Sequence, residues 1–318
     1  MIKVLISGAT GFVGKSLIQR IATDSPYVPI AAVRRTSANL QLGIDSVTVD
    51  NLSSETNWRM ALSGVKVVIH AAARTHILNE TSSDPLAEFR KINADGTLNL
   101  ARQAAEAEVR RLVFISSIGV NGNKNSRPFT ENDSPHPVEP YAVSKLEAEV
   151  GLRQLAEETG MEMVIIRPPL VYGPNAPGNF GRLIRAVDKG FYLPLGAIHN
   201  KRSFVALDNL VDLIVTCVDH PGAGNQTFLV SDGEDLSTTE LLQRLAISLD
   251  KPVRLIPVPA NLLVLGATLL GKRDLLQKLC VSLQVDISKA RKLLGWEPPV
   301  SVDEALLTTA KKFLENAT

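Results

Sequence analysis

A chain of 318 residues is long enough to bury a full core, as one large domain or two modest ones. Its net charge of +1, from 34 Lys and Arg against 33 Asp and Glu, offers no electrostatic case for nucleic acid, and no basic run is interleaved with aromatics. Cys217 and Cys280 have neither disulfide nor metal-ligand spacing and the five histidines show no ligand pattern, so no metal is expected.

The first element is the run Val4, Leu5, Ile6, read as a strand over 3–7. Gly8, Gly11 and Gly14 follow, and then a helical pattern over 13–23 (Leu17, Ile18, Ile21). This spacing predicts strand, tight turn, helix. Gly8 permits the turn, Gly11 lets the backbone approach a pyrophosphate, and Gly14 lets helix and strand pack closely. The anion would sit on the helix N-terminus, where unpaired N–H groups and the dipole favour it. A plain glycine-rich turn gives the same triplet, but its place between an apolar strand and a helix favours a dinucleotide. The opening MIKVLISG leaves no room for a signal peptide. The apolar stretch from Ile256 to Leu270 is broken by Pro257, Pro259 and Gly266 and is too short to span a bilayer. A cytoplasmic protein without a membrane span is the expectation.

Further strands are expected near 29–33, 46–49, 65–69, 111–116 and 163–167, with helices near 55–63, 85–107 and 141–159. Such alternation calls for an α/β fold, a doubly wound parallel sheet with helices on both faces. Beyond Arg167 the residues Pro168, Pro169, Gly173, Pro174, Pro177 and Gly178 crowd together, as in a loop leaving the sheet. Val205 to Val218 reads again as strand and helix returning to the sheet. The expected organisation is a dinucleotide-binding domain over 1–169 plus about 203–227. A smaller, C-terminal substrate-binding domain would comprise 170–202 and 228–318.

Tyr141-Ala-Val-Ser-Lys145 places a phenol and an ammonium on one helical face. A nearby cation favours phenolate and would lower the tyrosine pKa toward neutrality, as a general acid/base requires. Ser116-Ser117 ends the apolar strand Leu112–Ile115, and in a parallel sheet such ends border the ligand crevice. Glu131 and Asp133 read as a solvated loop rather than a paired-carboxylate site.

With these motifs, the chain resembles the extended short-chain dehydrogenase/reductases that act on nucleotide sugars. The resemblance spans essentially the whole chain. It adds His70-Ala-Ala-Ala73, Asn93-x-x-Gly96-Thr97-x-Asn99, Arg167-Pro-Pro-Leu-Val-Tyr-Gly-Pro174, Arg202-Ser-Phe-Val-Ala-Leu-Asp208 and Leu294-Gly-Trp-Glu-Pro298 to the glycine turn and the YxxxK helix. It implies a Rossmann fold, NAD(P), a UDP-sugar substrate and a homodimer built on the stretches 86–107 and 141–159. Ser117, Tyr141 and Lys145 would be catalytic. Tyr141 would exchange a proton with the sugar oxygen, Ser117 would share that bond, and Lys145 would hold the nicotinamide ribose. Gly8, Thr10, Gly11, Phe12, Val13 and Gly14 would bind cofactor, with Ala71, Ala72, Ala73, Asn93, Ser116 and Pro168 lining it and Asp50 with Asn51 near the adenine. Asn179 and Arg202 match positions that contact the nucleotide diphosphate, where a planar guanidinium suits phosphate.

Two departures bear on the reaction. The tyrosine usual after the serines is Asn121, so sugar contacts there differ. The second strand ends Ala31-Ala-Val-Arg34-Arg35, where NAD-specific members carry Asp or Glu, and arginine suits a 2′-phosphate. This favours NADP(H), with NAD(H) the other option. It also favours a 4-keto reductase over a UDP-glucose or UDP-N-acetylglucosamine 4-epimerase, because a reductase must exchange its cofactor. Resemblance to members found with bacterial O-antigen genes implies reduction of a UDP-4-keto-6-deoxy-N-acetylhexosamine to UDP-N-acetylquinovosamine. A dehydratase is disfavoured, since Ile118 stands where that chemistry usually has an acidic residue. A non-catalytic dinucleotide sensor is the reading from another class, weakened by the retention of both Tyr141 and Lys145.

Overall fold

Alternate residues of the inner strands feed two different cores, which is what makes the sheet central. In strand β1 (Ile2–Ser7), Val4 and Ile6 join one cluster while Leu5 joins the other. The same division separates Val113 from Leu112 and Phe114 in β5 (Arg111–Ile115). Burial on both faces explains why these strands read as near-continuous apolar runs. The computed structural model describes residues 1–34, 43–75, 82–269 and 278–316.

The remaining strands of this sheet are β2 (Tyr27–Val33), β3 (Asp45–Thr48), β4 (Val67–His70), β6 (Glu162–Arg167) and β9 (Gln226–Leu229). They run parallel in the order β3-β2-β1-β4-β5-β6-β9. The chain winds outward from β1 through β3 and then returns to β4 on the other side of β1. That reversal puts the ligand crevice of a doubly wound sheet at the carboxyl ends of β1 and β4.

Three expectations change. Residues 55–63 are turns rather than a helix. Polar side chains take the backbone groups that a helix would need: Thr56 Oγ1 donates to the Asn51 carbonyl at 2.6 Å, and Gln103 Oε1 accepts from the Trp58 N–H at 2.7 Å. The helical stretch from residue 85 contains a π-helical segment, Arg90–Asp95, between α2 (Pro85–Phe89) and α3 (Gly96–Glu106). Such widened turns recur at functional sites, and this one carries Asn93. The strand read from Val205 is β8 (Arg202–Ala206), and it joins a second sheet instead of the first. That sheet runs β10 (Asp235–Leu236), β8, β7 (Leu170–Tyr172). The strand that rejoins the large sheet is β9. A third core surrounds the small sheet, with Tyr172, Phe180, Phe204, Leu241 and Leu306. Among the described residues no helix is long and apolar enough to cross a membrane.

Candidate active site

At the switch point Ser7 stands in register with His70. Gly8 has φ +71°, and a Cβ there would lie 2.6 Å from the Ala72 nitrogen. A Cβ on Gly14 would lie 2.1 Å from the Gly8 carbonyl oxygen. Neither position has room for a side chain, so both glycines are required by packing, and Gly8 by conformation as well. Phe12, Val13 and Gly14 open helix α1 (Phe12–Asp24), which has no side-chain cap and no acid in its first turn. Its free N–H groups are what an anion needs.

A cleft of about 790 Å³ lies against this turn. Gly8, Thr10 and Gly11 line it together with Ala71, Ala72 and Ala73. Arg34, Asp50 and Asn51 form its far end, where Arg34 Nη1 donates to Asn51 Oδ1 at 3.4 Å. Arg35 lies outside the described residues. The uncapped helix end and the alanine wall fit a dinucleotide. Asn93 stands behind the wall: its Oδ1 accepts from the Arg74 N–H at 2.8 Å, while its Nδ2 donates to the Arg74 carbonyl at 3.0 Å and to Ser144 Oγ at 3.1 Å. It therefore shapes the cleft by fixing backbone. His70 is held between Ser7 Oγ and Thr97 Oγ1, and burial lowers its pKa to about 3, so it stays neutral.

Helix α4 (Pro140–Thr159) presents the phenol and ammonium beside β5. Lys145 is buried, donates to the Ile115 carbonyl at 2.8 Å, and lies 4.3 Å from the centre of the Phe114 ring. Desolvation pulls its pKa down to about 7, opposed by Glu149. Tyr141 packs edge-on to Phe89, and burial pushes its phenol up to about 12. The lowering expected from a neighbouring ammonium is overridden by the burial of the phenol itself. Ser117 Oγ accepts from the Gly119 N–H at 3.1 Å. Ser116 turns its hydroxyl to Glu149 Oε1, at 2.6 Å. The Pro168 carbonyl accepts from the Ile118 N–H at 2.9 Å, which anchors the serine turn on the strand end beside it.

A second cavity of about 330 Å³ has Ser117, Tyr141, Asn179 and Arg202 in its wall. Most of the rest is apolar, including Leu170, Phe180, Leu183 and Phe204. Arg202 Nη1 donates to the carbonyls of Lys278 and Val281, and burial lowers the guanidinium pKa. Lys278 also pairs with Glu139 at 2.6 Å, both lining the cavity. Asn121 does not line it; Asn121 is buried, accepting from Arg167 Nη1 at 2.8 Å and donating to the Thr130 carbonyl at 3.0 Å. The buried pair Glu149 and Arg167 was not singled out in the sequence, although Glu149 continues the four-residue spacing of Tyr141 and Lys145. Asp133 is held by Arg127 and the Thr130 N–H, so the loop carboxylates form no paired site.

The strand order and the glycine turn at the switch point define a Rossmann-type fold. Residues 4–231 match the model of the NAD dependent epimerase/dehydratase family, and the chain belongs to that family. It is 45% identical to a UDP-glucose 4-epimerase of Vibrio cholerae over 315 residues, 98% of this chain and 95% of the relative. Its fold is similar to that of a UDP-glucose 4-epimerase from Thermotoga maritima solved with UDP-glucose (TM-score 0.78, 22% identity, all of both chains). It is also similar to a UDP-glucuronic acid 4-epimerase from Bacillus cereus solved with NAD (TM-score 0.81, 22% identity, all of both chains).

Proposed function

We propose that this chain is a UDP-hexose 4-epimerase that retains a nicotinamide dinucleotide in the switch-point cleft. The observation that carries the reading is the 45% identity to a UDP-glucose 4-epimerase over nearly the full length of both proteins. The geometry is consistent with it. Tyr141 and Ser117 share one cavity with Asn179 and Arg202, so a nucleotide sugar whose diphosphate meets Arg202 can bring its hexose to the phenol. Arg202 donates to the Lys278 and Val281 carbonyls through Nη1, and the other edge of its fork would meet phosphate. When bound, the nicotinamide supplies the hydride chemistry and, when oxidised, a further positive charge. Tyr141 takes and returns the proton of the C4 hydroxyl, Ser117 shares that hydrogen bond, and Lys145 favours the charged phenolate. The apolar wall excludes water from the exchange.

Arg34 favours a second reading, an NADPH-dependent reductase of a UDP-4-keto-6-deoxy-N-acetylhexosamine, because it lines the far end of the cleft where a 2′-phosphate would lie. The two separate on the bench. With UDP-glucose and no added dinucleotide, the epimerase forms UDP-galactose. The reductase instead consumes one NADPH per UDP-4-keto sugar and leaves UDP-glucose untouched, and that outcome would replace the first reading. Arg34→Asp is expected to lower NADPH affinity about tenfold or more under the reductase reading, by losing a charge-assisted phosphate contact. Under the epimerase reading it leaves NAD retention within about twofold, since no charged contact to the cofactor is lost.

A further inference from the structure

Tyr141, Lys145 and Glu149 recur every fourth residue on α4 and so share one helical face. Glu149 and Arg167 are 1% and 3% exposed. Glu149 Oε1 accepts from Ser116 Oγ at 2.6 Å and from Arg167 Nε at 2.9 Å, and its Oε2 accepts from Arg167 Nη2 at 2.5 Å. Arg153 approaches the same oxygen at 3.7 Å. Arg167 continues to Asn121, which holds the Thr130 carbonyl. One carboxylate thus joins the end of β5, the end of β6 and the middle of α4. Burying such a pair has a large desolvation cost, and stability alone is a weak reason to place it there.

We propose that Glu149 is the positioning residue of the site: it locks the serine-bearing end of β5 against the helix carrying Tyr141 and Lys145, and it sets a carboxylate one turn from the Lys145 ammonium. This rests on Ser117, Tyr141 and Lys145 being the reacting set. The groups facing Lys145 are Glu149 from α4, neutral His70 from β4, and the Phe114 ring and Ile115 carbonyl from β5. Of these, Glu149 carries the negative charge. Its removal takes that charge away, which disfavours the ammonium, and leaves Arg167 without its buried carboxylate.

The test is a lysine ε-¹³C NMR titration of the full chain, with the Lys145 resonance assigned by its loss in Lys145→Met. In Glu149→Gln the Lys145 midpoint is expected to fall by about one pH unit, the usual size of a lost opposite charge nearby. The alkaline limb of the rate profile should move the same way. Glu149→Gln/Arg167→Gln, which leaves no buried charge unpaired, should recover thermal stability while its midpoint stays below wild type. A wild-type midpoint in folded Glu149→Gln overturns the proposal, as does one in the double variant if the single one does not fold. The titration needs no substrate, so it remains decisive even if the sugar reading fails.

Discussion

Tyr141→Phe is expected to cut turnover by about 10²–10⁴-fold, the span of a lost general acid/base. Dinucleotide affinity should stay within about twofold, because the change removes one hydroxyl and keeps the ring. The ring packs edge-on to Phe89, so phenylalanine preserves that contact and the fold should be unperturbed. Tyr141 lines the cavity shared with Ser117, and the substitution takes only the polar group from that wall. Burial holds this phenol up to about 12 and Lys145 down to about 7. Turnover should therefore fall with increasing pH as the Lys145 ammonium is lost, since the neutral amine cannot stabilise a phenolate. Stopped-flow or discontinuous assays across about pH 5.5 to 11.5, a window bracketing this titration and that of an ordinary lysine, check both claims. Near-wild-type turnover in Tyr141→Phe would remove the phenol from the mechanism.

The second large effect is Gly14→Ala. The added methyl group would stand 2.1 Å from the Gly8 carbonyl oxygen, a backbone atom that cannot swing away. Helix α1 must then move off β1, at a cost of roughly 1–3 kcal/mol for overpacking. The same shift withdraws the helix N-terminus from the cleft, so dinucleotide affinity and melting temperature should fall together. Gly11→Ala separates the two effects. Its Cβ would meet the Gly8 oxygen at 3.2 Å, which a small adjustment relieves, but the methyl group would project where Gly11 lines the cleft. It should retain most of the stability and lose dinucleotide. Calorimetry with and without cofactor distinguishes them, and equal melting temperatures for Gly14→Ala and wild type would contradict the packing argument.

The parts of the molecule legible in the sequence were those with a strong local period. The six expected strands of the first half all form: five are short apolar runs largely buried in the sheet, and the exposed edge strand β3 is carried by its pairing with β2. The glycine turn was legible because its spacing encodes both a positive φ and a helix–strand contact. Residues 55–63 misled because Ala61 and Leu62 suit a helix, while Ser53, Thr56 and Gln103 capture the backbone groups through contacts as distant as 45 residues. The destination of β8 was hidden for a similar reason. A strand's own pattern does not say which sheet will receive it, and here β7 and β10 offer partners in the second sheet. For Ser116 the resemblance implies a cofactor contact, and the structure adds a hydroxyl bond to Glu149. That bond depends on helix α4 lying across the end of β5, a tertiary fact with no local signature. Asn121 shows the reverse: a departure visible in the sequence proves to be a buried clamp on Arg167.

A 4-epimerase requires that hydride leave and return at the same sugar carbon. UDP-[4-²H]glucose incubated with the purified protein, without added dinucleotide, measures this directly. Epimerisation at C4 predicts UDP-galactose that keeps its deuterium at C4. Absence of UDP-galactose, or product from which the label has been lost, would contradict it.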